Sequence, residues 1–422
     1  MILSNGIHLA YCTNIHRGET WPDTLANLER HTLAVRRQVA PDSPYGIGLR
    51  LGDRAATELS DRVTLKGFQK WLAKNNCYIF TINGFPFGQF HGTRVKERVY
   101  LPDWTSPERL DYTNRLFDLL TELVPQGVEG SVSTLPGSFK RFIQNPAQEQ
   151  GMRDNLWRCV EYIAKASERT GRKLHLGLEP EPLCYLETSQ ETVDFFETLR
   201  AEHPNDPRLA EHLGVNYDTC HLAVEFEEPA SVIDRFRQHH IKISKLHLSS
   251  ALRVRPTAPV RAALAAFTED TYLHQVVVRD AEGSLTRCVD LDVALNRPVN
   301  RKDPKAEEWR IHFHVPLHSR PAMFFDPGTE RDQLDFNRQL EQSVFDTTSD
   351  HLLGVLDYLG REPSLCSHLE METYTWEVLP PELKNRHVVD QLVAEYAWTL
   401  RELALRDIVA TRIPLDRAGD AG

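Results

Sequence analysis

A chain of 422 residues, 41% of them hydrophobic, carries enough apolar material for one large barrel or two ordinary domains. Its 49 basic against 60 acidic residues leave a formal charge of -11, which denies nucleic acid the basic footprint it usually needs. Seven irregularly spaced cysteines make neither a disulfide framework nor a Cys-x-x-Cys zinc pattern, and no window reaches the roughly 18 apolar residues of a membrane span. The expectation is a soluble cytoplasmic protein, with no nucleic-acid partner and an oligomeric state that the sequence does not fix.

Apolar runs of β character alternate with stretches of helical periodicity, the pattern of repeated β-α units and a parallel sheet. The first unit is a strand over 7–12 and a helix opening at Pro22-Asp23, and the second a strand over 46–51 and a helix over 65–74. Strands over 77–82 and 129–135 follow, with helices over 107–123 and 152–169. The fifth strand, 174–179, precedes a helix over 191–199, and the sixth, 213–217, a helix over 232–239. The seventh, 243–248, leads to a helix beginning near Pro259, and the eighth, 367–371, to a closing helix over 388–405. Eight such pairs predict an α/β fold, a (β/α)8 TIM barrel in a single domain over 1–422. Before the eighth strand the rhythm breaks. Two extended segments, 272–278 and 285–291, flank the turn Ala281-Glu282-Gly283, and another extended run covers 309–316, so a β-rich insertion is expected over about 268–330.

The polar residues that end the strands carry the chemistry. Glu179 closes Leu-Gly-Leu-Glu before Pro180, Asp218 follows Val215-Asn216-Tyr217, His247 lies in Lys-Leu-His-Leu-Ser-Ser, and Glu372 follows the last strand. In a parallel barrel those ends converge on one face, so residues distant in sequence can bind one divalent cation. Glu370 and Glu372 share parity; Glu372 is nearer the mouth and is taken as the ligand, with Glu370 in reserve. A lone strand-end glutamate is more often solvated or ion-paired, and a lone histidine more often simply hydrogen-bonded. Four independent strand ends agreeing by chance is the harder proposition. His91, His221, His312, His314, Arg253 and Trp376 are the candidate substrate contacts. His312 and His314 alternate on one face, which suits a ligand or an exterior polar stripe equally well. Arg50, Arg94, Lys140 and Arg253 stand at or after strand ends, where they suit an anionic group or salt bridges among loops.

Leu-Glu-Pro at 178–180, Asp-Thr-Cys-His at 218–221, Leu-His-Leu-Ser at 246–249 and the terminal-strand glutamate resemble the motifs of xylose-isomerase-like barrels, a superfamily that includes ketose epimerases and the endonuclease IV group. The runs 5–14, 178–182 and 372–376 are more closely similar to EboE-type metabolite-traffic proteins. The resemblance implies a metal-site barrel of the sugar-phosphate isomerase/epimerase type, linked to secondary metabolism, with Glu179, Asp218, His247 and Glu372 as metal ligands. It further implies that Glu179 and Glu372 exchange a proton alpha to a carbonyl while His221 contacts a substrate oxygen. The mixed His and carboxylate set suits Mn, Zn, Mg or Co. The other class of function for the same barrel mouth is noncatalytic: sequestering or carrying a metabolite or metal. Endonuclease chemistry is disfavoured, because Arg310-Ile311-His312 lacks that group's Asp-x-His element and the chain is acidic.

Overall fold

The computed structural model describes residues 1–89, 95–269, 271–298, 307–318, 345–374 and 387–411. Each of the eight predicted strands is present to within about two residues: β1 (His8–Tyr11), β2 (Tyr45–Arg50), β3 (Cys77–Asn83), β4 (Gly130–Thr134), β5 (Leu174–Leu178), β6 (Leu213–Asp218), β7 (Lys242–Leu248) and, after five strands of a second sheet, β13 (His368–Met371). They form one sheet in the order β1-β13-β7-β6-β5-β4-β3-β2, with every pairing inside it parallel. A parallel bridge between Cys12 and Gly48 joins its two edges, so the chain is a (β/α)8 TIM barrel. Nearly every residue of these strands is buried, as expected for strands covered by helices on one side and packed into the barrel on the other.

The helices follow local chemistry. Pro107–Leu123 starts after Ser106, whose hydroxyl accepts the Glu108 N–H, with Pro at the first turn. Pro146–Thr170 is capped by Asn145 and ends on Gly171 in the left-handed region at φ 65°. Asp53–Leu59 and Ser349–Arg361 are among the helices that escape the sequence reading. The second precedes β13, with a short 3-10 turn at Pro363–Leu365 between them. The helix expected near Pro259, Ala258–Leu264, instead packs Val260 and Leu264 into a second, smaller core.

That second core belongs to a five-stranded sheet ordered β10-β9-β11-β8-β12, built from β8 (Leu252–Val254), β9 (Val276–Arg279), β10 (Leu285–Cys288), β11 (Glu308–Ile311) and β12 (Phe345–Thr347). The expected hairpin around 281–283 pairs β9 with β10 antiparallel, and Gly283 supplies the positive φ, 86°, that its turn requires. The Val315 N–H donates to the Ser250 carbonyl at 2.9 Å, which ties the segment after β11 to the C-terminal end of β7.

The closing helix, Val388–Ala404, places Glu395 fully inside, where it accepts from the Leu317 N–H at 3.1 Å and the Thr373 hydroxyl at 2.8 Å. Burial pushes its carboxyl up to about 7 against these bonds. A carboxyl raised in the fold contributes stability below its unfolded pKa and loses it as pH rises through the folded one. Urea midpoints should therefore show Glu395→Gln gaining on the parent by up to about 3 kcal/mol between about pH 4.5 and 8. A gap that stays constant across that window would contradict this account.

Candidate metal centre

Glu179, Asp218, His247 and Glu372 each offer one ligand atom, all within 4.8 Å of one another, at the C-terminal ends of β5, β6, β7 and β13. All four are buried. The His247 Nδ1 is the focus, with Glu179 Oε1 at 2.8 Å, Glu372 Oε2 at 3.0 Å and Asp218 Oδ2 at 3.5 Å.

Local structure aims each carboxylate. Asp218 caps the short helix Thr219–Val224: its Oδ1 accepts from the Cys220 and His221 N–H groups at 2.7 and 3.1 Å and from the Ser249 hydroxyl at 2.6 Å. Its Oδ2 is left for the centre. Glu372 Oε1 accepts from the Asn14 and Asn83 amides at 2.6 and 3.2 Å, which turns Oε2 to His247. Glu179 Oε2 and Asp218 Oδ2 are buried without a hydrogen-bond partner among the described residues. Buried carboxylate oxygens in that condition are costly unless a cation joins them. The donor set, three carboxylates and an imidazole, fits a divalent ion.

Beneath this layer His247 Nε2 meets Glu370 Oε2 at 2.8 Å, and Glu370 is also ion-paired to Lys245. Glu370 thus orients the imidazole from behind, the usual part of an outer carboxylate in a histidine-metal site. Its tight seat is a matter of space, because a Cβ on Gly48 would lie 1.9 Å from Glu370 Oε1. Burial alone would lower the His247 pKa, but Glu372 and Glu179 outweigh it and hold the imidazole well above its ordinary range. Asp218 is held well below the usual carboxylate range: burial opposes this, and His221, His314 and His247 overcome it.

A cavity opens over the centre, lined by Asn14, Asn83, Phe85, Tyr100, Glu179, Glu181, His221, Tyr272, His312, His314, Glu372 and Tyr374 among others. Of the candidate substrate contacts, His221, His312 and His314 line it. Arg253 stands on β8, where it pairs with Asp346 and Asp350, outside the lining. Lys140 pairs with Glu187 and Glu191, and Arg50 bonds the Gly18 and Gly88 carbonyls. His91, Arg94 and Trp376 lie outside the described residues.

Sequence reasoning missed Asn14, Asn83 and Glu181. Asn83 ends β3 as Asp218 ends β6, so the strand-end rule that found the carboxylates also applied to it. Glu181 lies two residues beyond Glu179, accepts from the Tyr100 hydroxyl at 2.7 Å, and is raised to about 7 by burial despite His221 and Tyr100.

Fold and centre together define a TIM barrel with a buried carboxylate-histidine cluster at its C-terminal mouth. No protein-family model matches the chain, and no curated protein matches it. Among solved structures it is similar to a xylose isomerase domain protein from Planctomyces limnophilus, at 13% identity and TM-score 0.45 over 89% of this chain and 91% of that one. It is also similar to a D-tagatose 3-epimerase-like protein, at 12% identity and TM-score 0.44 over 94% of this chain and all of that one (100%). A xylose isomerase-like TIM barrel protein from Mycobacterium smegmatis in complex with magnesium matches at 12% identity and TM-score 0.44, over 95% of this chain and 97% of the other. These likenesses concern the fold. Among the described residues no helix is long and apolar enough to cross a membrane.

Proposed function

We propose that this protein is a divalent-metal-dependent isomerase or epimerase acting on a small polyhydroxylated or hydroxyketone metabolite. The observation that carries the reading is the convergence of Glu179, Asp218, His247 and Glu372 within 4.8 Å at the mouth of the barrel, below a cavity that Glu179 and Glu372 both line. A divalent ion bound there supplies electrophilic polarisation of a substrate carbonyl and its neighbouring hydroxyl.

The chain's own residues do the rest. One of the carboxylates, Glu179 or Glu372, takes the proton alpha to the carbonyl, and the other, entering the step as the carboxylic acid, gives its proton to the opposite face and is left ionised. Asn14 and Asn83 hold Glu372 in place through its Oε1, which leaves Oε2 facing His247 at the centre. His221 is fixed through its Nδ1 on the Pro180 carbonyl at 3.1 Å, so Nε2 is the nitrogen it presents to the cavity and a substrate oxygen. Burial opposes protonation of His221, but Asp218, Glu181 and Glu179 raise its pKa overall, which favours it as a hydrogen-bond donor to that oxygen. Aromatic walls from Phe85, Tyr100 and Tyr272 exclude water from the carbanion-like intermediate. Seven free, buried cysteines fit a reducing cytoplasm, and a place in secondary metabolism is part of the same proposal.

The test is metal-reconstituted protein incubated in deuterium oxide with a panel of ketoses and their phosphates. Deuterium should enter the carbon alpha to the carbonyl in the wild type and fall by at least about 100-fold in Glu372→Gln. Bound metal with no incorporation from any substrate would instead favour a noncatalytic traffic protein that captures the metabolite at the same mouth.

A further inference from the structure

The cavity over the centre is lined by two kinds of surface. Polar groups come from strand ends, Asn83, Glu179 and Glu372 among them. Val95, Val99, Tyr272 and Leu273 also line it, carried by two segments outside the barrel sheet: the connection from β3 to the helix Pro107–Leu123, and the run that leads into β9. Val95 and Tyr272 are buried and pack with the half-buried Val99 as one small apolar cluster.

A lysine fastens the two segments to each other. Lys96 Nζ donates to the Glu269 and Tyr272 carbonyls at 2.6 and 2.7 Å and to Asp290 Oδ2 at 2.7 Å. The Val95 and Lys96 N–H groups both donate to the Thr271 carbonyl, at 3.0 and 2.9 Å. An ammonium has three N–H donors, so the side-chain bonds use all that Lys96 has. Among the described residues that line the cavity, Lys96 carries the one ammonium and there is no guanidinium. A phosphate on a substrate is gripped by charge-assisted bonds from just such groups. Here that charge is committed to holding the apolar wall together.

We infer that the substrate is an unphosphorylated hydroxyketone bearing an apolar substituent, alkyl or aryl, which seats on Val95, Val99, Tyr272 and Leu273 while the oxygens face the carboxylate centre. The oxygenated end follows from the isomerase reading, on which this inference rests; the apolar end follows from the wall. A sugar hydroxylated along its whole length would press hydroxyls against side chains that cannot bond them, and each hydroxyl desolvated without a partner weakens binding. An alkyl or aryl group instead removes apolar surface from water on both sides of the contact, worth about fourfold in affinity for each methylene. Val99 and Leu273 set this preference most directly, because their side chains hold no polar atom.

The experiment is a saturation-transfer NMR titration of zinc-reconstituted protein with hydroxymethyl ketones of increasing chain length, from hydroxyacetone to its hexyl homologue, beside dihydroxyacetone and dihydroxyacetone phosphate. The dissociation constant should fall by about fourfold for each of the first few methylenes, and the phosphate should bind no more tightly than its parent. Val99→Asn should weaken binding of the longest ketone by about tenfold. The wild-type series stands whether or not that variant folds. A flat series, no binding by any member, or a phosphate bound about tenfold more tightly than dihydroxyacetone overturns the inference, since one charge-assisted bond alone is worth about that much. Deuterium exchange on the same samples keeps the two readings apart. A sloping series with no incorporation upholds the apolar ligand and sinks the isomerase; a flat series with incorporation from sugar phosphates does the reverse.

Discussion

Lys245→Met is expected to destabilise the protein by about 3–5 kcal/mol in urea unfolding, although the substituted side chain is of similar size and touches no solvent. Lys245 lies on β7 at 1% exposure, donating to Ser133 Oγ at 2.9 Å and to the carboxylate of Glu370, itself fully buried on β13. Burial would raise the Glu370 carboxyl, but Lys245 and His247 hold it down at about 2. Without the lysine a buried carboxylate keeps only a histidine that is already committed on its other edge to Glu179, Asp218 and Glu372. The loss comes from that uncompensated charge and not from packing. Lys245→Met/Glu370→Gln should therefore recover most of it, since a neutral amide oxygen still accepts from His247 Nε2. A single variant within about 1 kcal/mol of wild type, or a double variant no better than the single, would show that Glu370 is solvated or protonated in the native protein.

The same ion pair marks the limit of what the sequence discloses. Barrel strands are buried on both sides, so strands such as β5 and β3 read as largely apolar runs, and a polar residue that ends one stands out against that background. That contrast located Glu179, Asp218 and His247, and parity placed Glu370 and Glu372 on one face. What parity cannot give is the partner. Lys245 meeting Glu370 depends on β7 pairing with β13 across more than a hundred residues, with Glu370 in register with His247. The helix Ser349–Arg361 went unread because it lies beyond a stretch whose extended segments masked the return of the β-α rhythm. Strands β8 and β12, at three residues each, are too short to show alternation. His312 and His314 were legible as neighbours on one face; that the face meets His221 is a long-range contact, invisible to spacing.

Glu179→Gln should change the sign of its effect on stability with metal. In chelator, three carboxylates surround a single imidazole nitrogen, and Glu179 brings one oxygen to 2.8 Å from it while the other has no hydrogen-bond partner among the described residues. Removing that charge relieves repulsion with Asp218 and Glu372, so the stripped variant should melt above the stripped wild type. With ion at about a thousand times its dissociation constant, the wild type gains about 4 kcal/mol from binding. The variant has lost a ligand and gains much less, so it should melt below the wild type under the same conditions. Differential scanning fluorimetry with and without manganese or zinc measures both differences. A Glu179 that served only as an ion-pair partner for His247 would give a different result, lowering the melting temperature in chelator and in metal alike, because the imidazolium would lose a neighbour whichever solution surrounds it. The crossing of the two curves thus separates a ligand from a salt bridge, a distinction that proximity to His247 leaves open.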